Sequence, residues 1–375
     1  MTDRNASASP DLVATSLEVI RSGQAAGGAF VAGPTFSQYG YSWLRDGAFI
    51  AEALDNSGRL DWASRFHGWV AGVVLSSVPG LERTRETVRA GRAPDAADYL
   101  HCRYAADGSP ADTDWPTFQL DGPGIWLWSL AHHVLHGGRL DADMHAAIGH
   151  VARYLGDLWQ LPCSDAWEEF DDHVHTSTLA AIRVGIEAAV SMEPSLGVEP
   201  AIGRLRDGIE GRMSTVGGAF TKWDGSREVD GSLLWMVAPY ESYLPTEPRF
   251  AATLRRVEDE LTTGGAGVHR YRSDTYYGGG AWPVLSSAYG RVLLRRGDPG
   301  DVDRAVAVLR WIEARADERG LLPEQVADHA LAPDRIDEWR ELWGESARPL
   351  LWSHAAYLSL RAELEARTDL AGDPG

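Results

Sequence analysis

Apolar residues along the chain recur mainly at three- and four-residue intervals, as in Phe49, Ile50, Ala53 and Leu54, or Val151, Tyr154, Leu155 and Leu158. This is the period of a helix with one buried face, not the alternation of a half-buried strand. The pattern predicts twelve helices, near 11–22, 45–57, 60–76, 123–136, 141–158, 174–191, 198–212, 231–238, 248–262, 282–296, 301–317 and 348–366. Gly137-Gly138, Pro239 and the run Gly297-Asp298-Pro299-Gly300-Asp301 punctuate them. The stretch from Pro79 to Asp121 is rich in charge and glycine and lacks a regular pattern, so it is expected to be a long loop, part of it walling a site near Trp115.

Clusters of polar and aromatic residues stand before or at the start of the second, fourth, sixth, eighth, tenth and twelfth predicted helices. If the odd helices form an outer ring and the even ones an inner ring, the N-terminal ends of the inner helices gather at one rim, and the clusters meet there. The expected fold is all-α, an α/α toroid of six helical hairpins. No short sequence repeat is evident, so the repetition is architectural.

A length of 375 residues with 44% hydrophobic content suffices for one large core, and no Ser/Gly/Pro-rich linker divides it. One catalytic domain is expected over residues 11–367, with short flexible ends at 1–10 and 368–375. The first ten residues lack the apolar core of a signal peptide, and every apolar stretch is broken well before eighteen residues. Neither export nor membrane insertion is therefore expected. With 54 acidic against 35 basic residues, the formal charge of −19 disfavours nucleic acid and anionic lipid and is compatible with a neutral substrate. Cys102 and Cys163 provide no disulfide framework and are expected to be reduced thiols of a cytoplasmic protein. The chain carries no legible statement of its oligomeric state.

Two carboxylates in aromatic, loop-like settings carry the candidate chemistry: Trp167-Glu168-Glu169 and Leu322-Pro323-Glu324-Gln325. Breaking an acetal needs a proton for the leaving oxygen and, for direct displacement, a base that activates water on the opposite face of the sugar. On the residues alone, Glu168 or Glu169 is the acid. Glu169 is expected to repel a second charge and Trp167 to lower local polarity, and both effects raise a carboxyl pKa. Fifteen tryptophans are available as platforms or core; Trp62, Trp69, Trp126, Trp128 and Trp311 lie on helical faces and are read as packing. His173-Val174-His175 lacks a third ligand cluster, so no metal is expected. Hydrolysis needs no cofactor.

Tyr41-Ser42-Trp43-Leu44-Arg45-Asp46, Gln119-Leu120-Asp121-Gly122-Pro123-Gly124, Trp167-Glu168-Glu169, Pro323-Glu324-Gln325 and Leu351-Trp352-Ser353-His354-Ala355-Ala356 follow one another in an order that resembles glycoside hydrolase family 15, the glucoamylase-like family. The resemblance runs from about Tyr39 to Tyr357. It implies Glu168 as general acid, Glu324 as general base, inversion at the anomeric carbon, and Arg45 and Asp46 on the hydroxyls of a terminal glucose. Tyr39, Tyr41, Trp43, Trp115, Trp167, Glu169 and Trp352 complete the expected substrate site, with Asp121 supporting it from behind. Where the family often has Asn, Leu120 stands here, so any contact of that Asn is lost. The run from His269 to Trp282 resembles the family segment before the tenth helix and makes Arg270 a substrate-binding candidate.

Many relatives of this kind carry an additional β-sandwich or starch-binding module, and the first motif here begins near residue 39. Small neutral oligosaccharides are the expected substrates, with isomaltose and short isomaltooligosaccharides ahead of maltooligosaccharides. Two other readings use the same toroid: a trehalase of the family, and a catalytically silent glucan-binding domain, against which the joint presence of Glu168, Glu324, Arg45 and Asp46 argues. A terpene-cyclase-like toroid would want an Asp-rich metal motif that Asp171-Asp172 and Asp95 to Asp98 do not supply.

Overall fold

The computed structural model describes residues 11–111, 115–196 and 199–372. The segment 1–10 and the last three residues, both expected to be flexible, lie outside the described residues. Thirteen α-helices make up most of the fold: α1 (Leu12–Gly23), α2 (Leu44–Asn56), α3 (Leu60–Ser76), α4 (Val78–Arg89), α5 (Asp121–Leu135), α6 (Ala142–Leu158), α7 (Thr176–Met192), α8 (Glu199–Arg212), α9 (Pro248–Glu260), α10 (Pro283–Arg296), α11 (Asp301–Glu313), α12 (Ile336–Trp343) and α13 (Leu351–Gly372). Between α8 and α9 the chain forms a short 3-10 helix, Gly231–Met236. Among the described residues, strand is confined to three two-residue antiparallel pairs, including Ser42–Trp43 with Arg103–Tyr104.

The inner ring is α2, α5, α7, the 3-10 helix, α10 and α13, each packed on the next, and α13 closes the circle against α2. Outside it, α1 packs on α13, α3 on α2 and α6, α8 on α7, and α11 on α10 and α13. The expected toroid is thus observed. Close inner packing has a local cause where α5 meets α7: a Cβ at Gly124 would lie 2.6 Å from the Ala181 carbonyl oxygen, and one at Gly185 would lie 2.4 Å from the Gly124 carbonyl oxygen. Only glycine lets the two backbones approach so far. The centre is plugged by aromatic rings. Phe49 of α2 stacks on Trp352 of α13 with ring centroids 5.2 Å apart, and Trp235 of the 3-10 helix meets both at 5.3 and 5.5 Å.

Four expectations need correction. The stretch 79–121 is not all loop, since α4 occupies its first part. Pro79, where that stretch begins, sits in the first helical turn, where its missing N–H costs nothing. The charges that disguised the helix are its anchors: Arg85 pairs with Glu82 and Asp157, each at 2.7 Å. The helix α12 was also missed, because its apolar stripe, Ile336, Trp339 and Trp343, spans only two turns among four charged residues. The fourth inner element is a 3-10 helix ending before Pro239, and α13 runs past 366 to Gly372, into the segment expected to be flexible.

No described helix is long and apolar enough to cross a membrane. Cys102 and Cys163 are free and buried.

Candidate active site

The N-terminal ends of the inner helices open onto a cavity of about 340 Å³. Its lining includes Tyr39, Trp43, Arg45, Asp46, Trp115, Trp167, Glu168, Glu169, Arg270, Glu324 and Trp352. Eleven of the thirteen residues singled out in the sequence therefore meet at one place, although they span most of the chain. The inner helices α2, α5, α7 and α10 carry no side-chain N-cap, while α1, α6 and α9 are capped by Asp11, Asp141 and Glu247.

Glu168 sits on a tight turn organised by Asp165. The Asp165 Oδ1 accepts from the Trp167 and Glu169 backbone amides at 2.9 and 3.0 Å, and the Glu168 amide donates to the Asp165 carbonyl at 3.0 Å. Glu168 itself has φ 61°, in the left-handed region. For a non-glycine residue that conformation costs about 1–3 kcal/mol and persists only where the surroundings impose it. Here a buried cation imposes it. Lys222 Nζ lies 3.1 Å from Asp165 Oδ2 and 3.0 Å from Asp230 Oδ2, and Asp230 also accepts from Trp167 Nε1 at 3.2 Å. Burial opposes charge on Lys222, yet Asp230 and Asp165 hold its pKa above the usual lysine range.

We expect Lys222→Met to strand two buried carboxylates and to destabilise the protein by about 3–5 kcal/mol, measured by denaturant unfolding. Activity at temperatures where the variant remains folded should fall as well, since the Glu168 turn loses its clamp.

The two adjacent carboxylates do not face each other as expected. Glu168 Oε1 accepts from Arg45 Nη2 at 2.8 Å and from Gln119 Nε2 at 3.1 Å. Both donors converge on Oε1 rather than Oε2, an arrangement in which a proton on Oε2 leaves both bonds intact. Glu169 turns to Arg270 Nη2 at 3.3 Å and to the Tyr271 hydroxyl, one donor on each oxygen. Burial raises the Glu169 pKa, with Arg270 opposing. Arg270 is in turn gripped by Asp274 through Nε and Nη2 at 2.8 and 2.6 Å.

Glu324 enters from the connection before α13. It is 2% exposed. The Tyr39 hydroxyl donates to its Oε1 at 2.6 Å and the Ser346 hydroxyl to its Oε2 at 3.0 Å. Burial pushes its carboxyl up to about 7, against the lowering effect of these two bonds. His354 fixes the approach of this segment. Its Nε2 accepts from the Leu322 amide at 3.0 Å, so its proton is on Nδ1, directed at Ser16 Oγ at 2.9 Å. Burial keeps the ring neutral, with a pKa near 3.

On the other side of the cavity, Arg45 lies over Trp352 at 5.5 Å from the ring centroid and bonds Gln119 Oε1 at 3.1 Å. Asp46 is buried beside it, and burial raises its carboxyl to about 7. Asp46 Oδ2, Arg45 Nε and the indole nitrogens of Trp43, Trp115 and Trp282 have no hydrogen-bond partner among the described residues. Buried polar atoms left in this state cost roughly 1–3 kcal/mol each. A ligand rich in hydroxyls would satisfy them.

Two expected site residues lie outside the lining. Asp121 opens α5 behind Arg45, 3.5 Å from Nη1, which is the supporting place expected for it. Tyr41, expected near the scissile bond, packs instead against the guanidinium of Arg103 at 4.7 Å. The same guanidinium lies over Trp43 and Trp115 at 5.2 and 4.5 Å, so Tyr41 acts on the cavity only through this stack. Residues not singled out in the sequence also line the cavity, namely Tyr276, Trp282, Trp339 and Trp343. Among the described residues one group has metal-ligand proximity, Asp55, His67 and His133, and neither His173 nor His175 belongs to it. It lies at the opposite ends of α2 and α5. There His133 donates to Asp55 at 2.7 Å and meets Ser64 at 2.8 Å, tying α2, α3 and α5 together.

The family model for glycosyl hydrolases family 15 matches residues 11–362. The chain belongs to this family. It is a glycoside hydrolase, and two relatives make the comparison finer. An isomaltose glucohydrolase from Kribbella flavida is 41% identical over 94% of this chain and 92% of its own length. A glycosidase with one glutamate replaced by alanine, solved in complex with glucose, superposes with a TM-score of 0.89 at 40% identity, covering 95% of this chain and 96% of that one. A trehalase from Thermoplasma acidophilum is more distant, at 26% identity over 80% of this chain and 55% of its own length. In this family 15 hydrolase the described residues form a toroid around a deeply buried candidate base.

Proposed function

We propose that this family 15 hydrolase is an inverting, exo-acting α-glucosidase that releases β-glucose from isomaltose and short isomaltooligosaccharides. The observation that carries the reading is the cavity in which Glu168 and Glu324 stand with Arg45, Asp46 and Trp352. In this reading, the terminal glucose occupies the buried end, where Asp46 and Arg45 meet its hydroxyls and Trp352 its ring face. Glu168 gives a proton from Oε2 to the glycosidic oxygen. Glu324 takes a proton from water on the opposite face, and the water oxygen bonds the anomeric carbon as the leaving sugar departs with the transferred proton. Inversion requires the two carboxyl groups to stand roughly 6.5–9.5 Å apart, leaving room for that water. Glu169, with both oxygens engaged, holds Arg270 rather than donating a proton.

Support for isomaltose comes from the 41% identical isomaltose glucohydrolase, which this chain matches nearly end to end. In this reading the protein acts in the cytoplasm, on saccharides already taken up. Proton NMR with isomaltose, maltose and trehalose in parallel tests the proposal. β-Glucose is expected first, and fastest from isomaltose. α-Glucose as the first product would refute inversion, and faster release from trehalose would transfer the assignment to a trehalase.

A further inference from the structure

His67 stands on the apolar stripe of α3, in register with Ala63, Phe66, Val70 and Val74, all of them buried. It is fully buried itself, and neither of its ring nitrogens has a hydrogen-bond partner among the described residues. A neutral imidazole carries one donor and one acceptor, so burying both unmet costs free energy that a leucine in the same place would not. Burial and the neighbouring His133 and His132 rings hold His67 neutral, which leaves a lone pair on the ring.

Two further donors meet it. Asp55, from the last turn of α2, and His133, from the last turn of α5, have no exposed side-chain surface. One ligand atom from each of Asp55, His67 and His133 lies within 4.8 Å of the other two. The His67 and His133 ring centroids are 5.0 Å apart. Asp55 Oδ1 is engaged by His133 Nδ1 at 2.7 Å, but its Oδ2 is buried without a partner, and among the described residues no arginine or lysine pairs with it. Three helices thus bring two imidazoles and a carboxylate to one enclosed point and leave three polar atoms there unmet.

We propose that Asp55, His67 and His133 form a structural site for one zinc ion, which fastens the outer helix α3 to the inner pair α2 and α5. Two imidazole nitrogens and a carboxylate suit zinc, whereas calcium and magnesium want oxygen donors throughout. On binding, His133 Nδ1 releases its proton to solvent and turns its lone pair to the ion. Its Nε2–H then donates to Ser64 Oγ, now 2.8 Å away, the outer contact that orients a metal-bound imidazole. The Nδ1 to Oδ1 separation must widen by roughly half an ångström to span an ion bound at about 2.0–2.2 Å. Asp46 and Asp55 stand about 14 Å apart along α2, so the ion takes no part in the chemistry of the cavity.

Metal analysis and thermal unfolding of the full chain test the proposal. Protein stripped with a chelator and then dialysed against zinc should keep one zinc per chain. With free zinc about 100-fold above its Kd, Tm should rise by about 3 °C over the stripped form. Calcium and magnesium should leave Tm unchanged. The rival ligand set is the His132 and His136 pair at the end of α5, with ring centroids 4.1 Å apart. His136→Ala should therefore keep both the zinc and the gain in Tm, and His67→Leu, which restores an apolar stripe, should lose both. If His67→Leu does not fold, Asp55→Asn carries the same test. A wild-type chain that keeps no zinc, a His67→Leu chain that keeps it, or a His136→Ala chain that loses it would overturn the inference and leave the three unmet atoms to buried water.

Discussion

Glu168→Gln is expected to lower kcat/KM on isomaltose by about 10²- to 10⁴-fold, the usual worth of a positioned general acid. The amide has nearly the shape of the acid and can still accept from Arg45 and Gln119 through its carbonyl oxygen, so the turn and the cation should stay in place. What disappears is the transferable proton on the other atom. An alkoxide leaving from a sugar needs that proton, whereas fluoride departs without one. The loss on α-glucosyl fluoride should therefore be at least tenfold smaller than on isomaltose. Equal losses on the two substrates would mean that Glu168 holds the sugar or the Arg45 cation but does not protonate the leaving oxygen, and attention would move to Glu169.

The selectivity of that test depends on how the turn is built, and the turn is also where sequence reasoning stopped. Trp167-Glu168-Glu169 marked the site, but the residues that fix it, Asp165, Lys222 and Asp230, carry no local signature. Lys222 is far along the chain and reads as a surface charge until the fold buries it at 2% exposure between two aspartates. The ring of helices was legible because helical periodicity and the placing of motifs before alternate helices are both local properties. Helix α4 was hidden by its own salt bridges, and α12 by its shortness. With α12 went Trp339 and Trp343, which join the cavity lining only through the fold, a relation the order of residues does not express. Tyr41 failed in the opposite sense. It stands two residues from Trp43 in a recognisable motif, but Arg103 draws its ring out of the cavity lining. Motif membership brought most of the carboxylates and arginines to the cavity because charged groups buried at a rim must be paired there, whereas an aromatic ring can be absorbed by any neighbouring cation or core.

Glu324→Gln is expected to lose about 10²- to 10⁴-fold on isomaltose and on α-glucosyl fluoride alike, since both reactions need an activated water. This common loss separates the base from the acid. In the wild-type protein the same group should set the acid limb of kcat/KM in the free enzyme. With its carboxyl held up to about 7 by burial, Glu324 is protonated and inactive below that pH, and the rate should fall about tenfold for each further pH unit. Tyr39 and Ser346 donate to the ionised carboxylate and so pull its pKa down. Tyr39→Phe removes one such bond, leaves the charged form less favoured, and should shift the limb upward by about one to two pH units, given that a bond to a charged group is worth about 1.5–3 kcal/mol and one unit corresponds to about 1.4 kcal/mol. A limb that moved downward, or did not move, would separate the titration from Glu324. Glu324→Ala adds a stereochemical test, because it leaves space where the activated water stood. Azide supplied with α-glucosyl fluoride should attack from that face, forming a carbon–nitrogen bond as the carbon–fluorine bond breaks, and the product expected by NMR is β-glucosyl azide. The α-azide would place the nucleophile on the wrong side of the ring and remove Glu324 from the role of base.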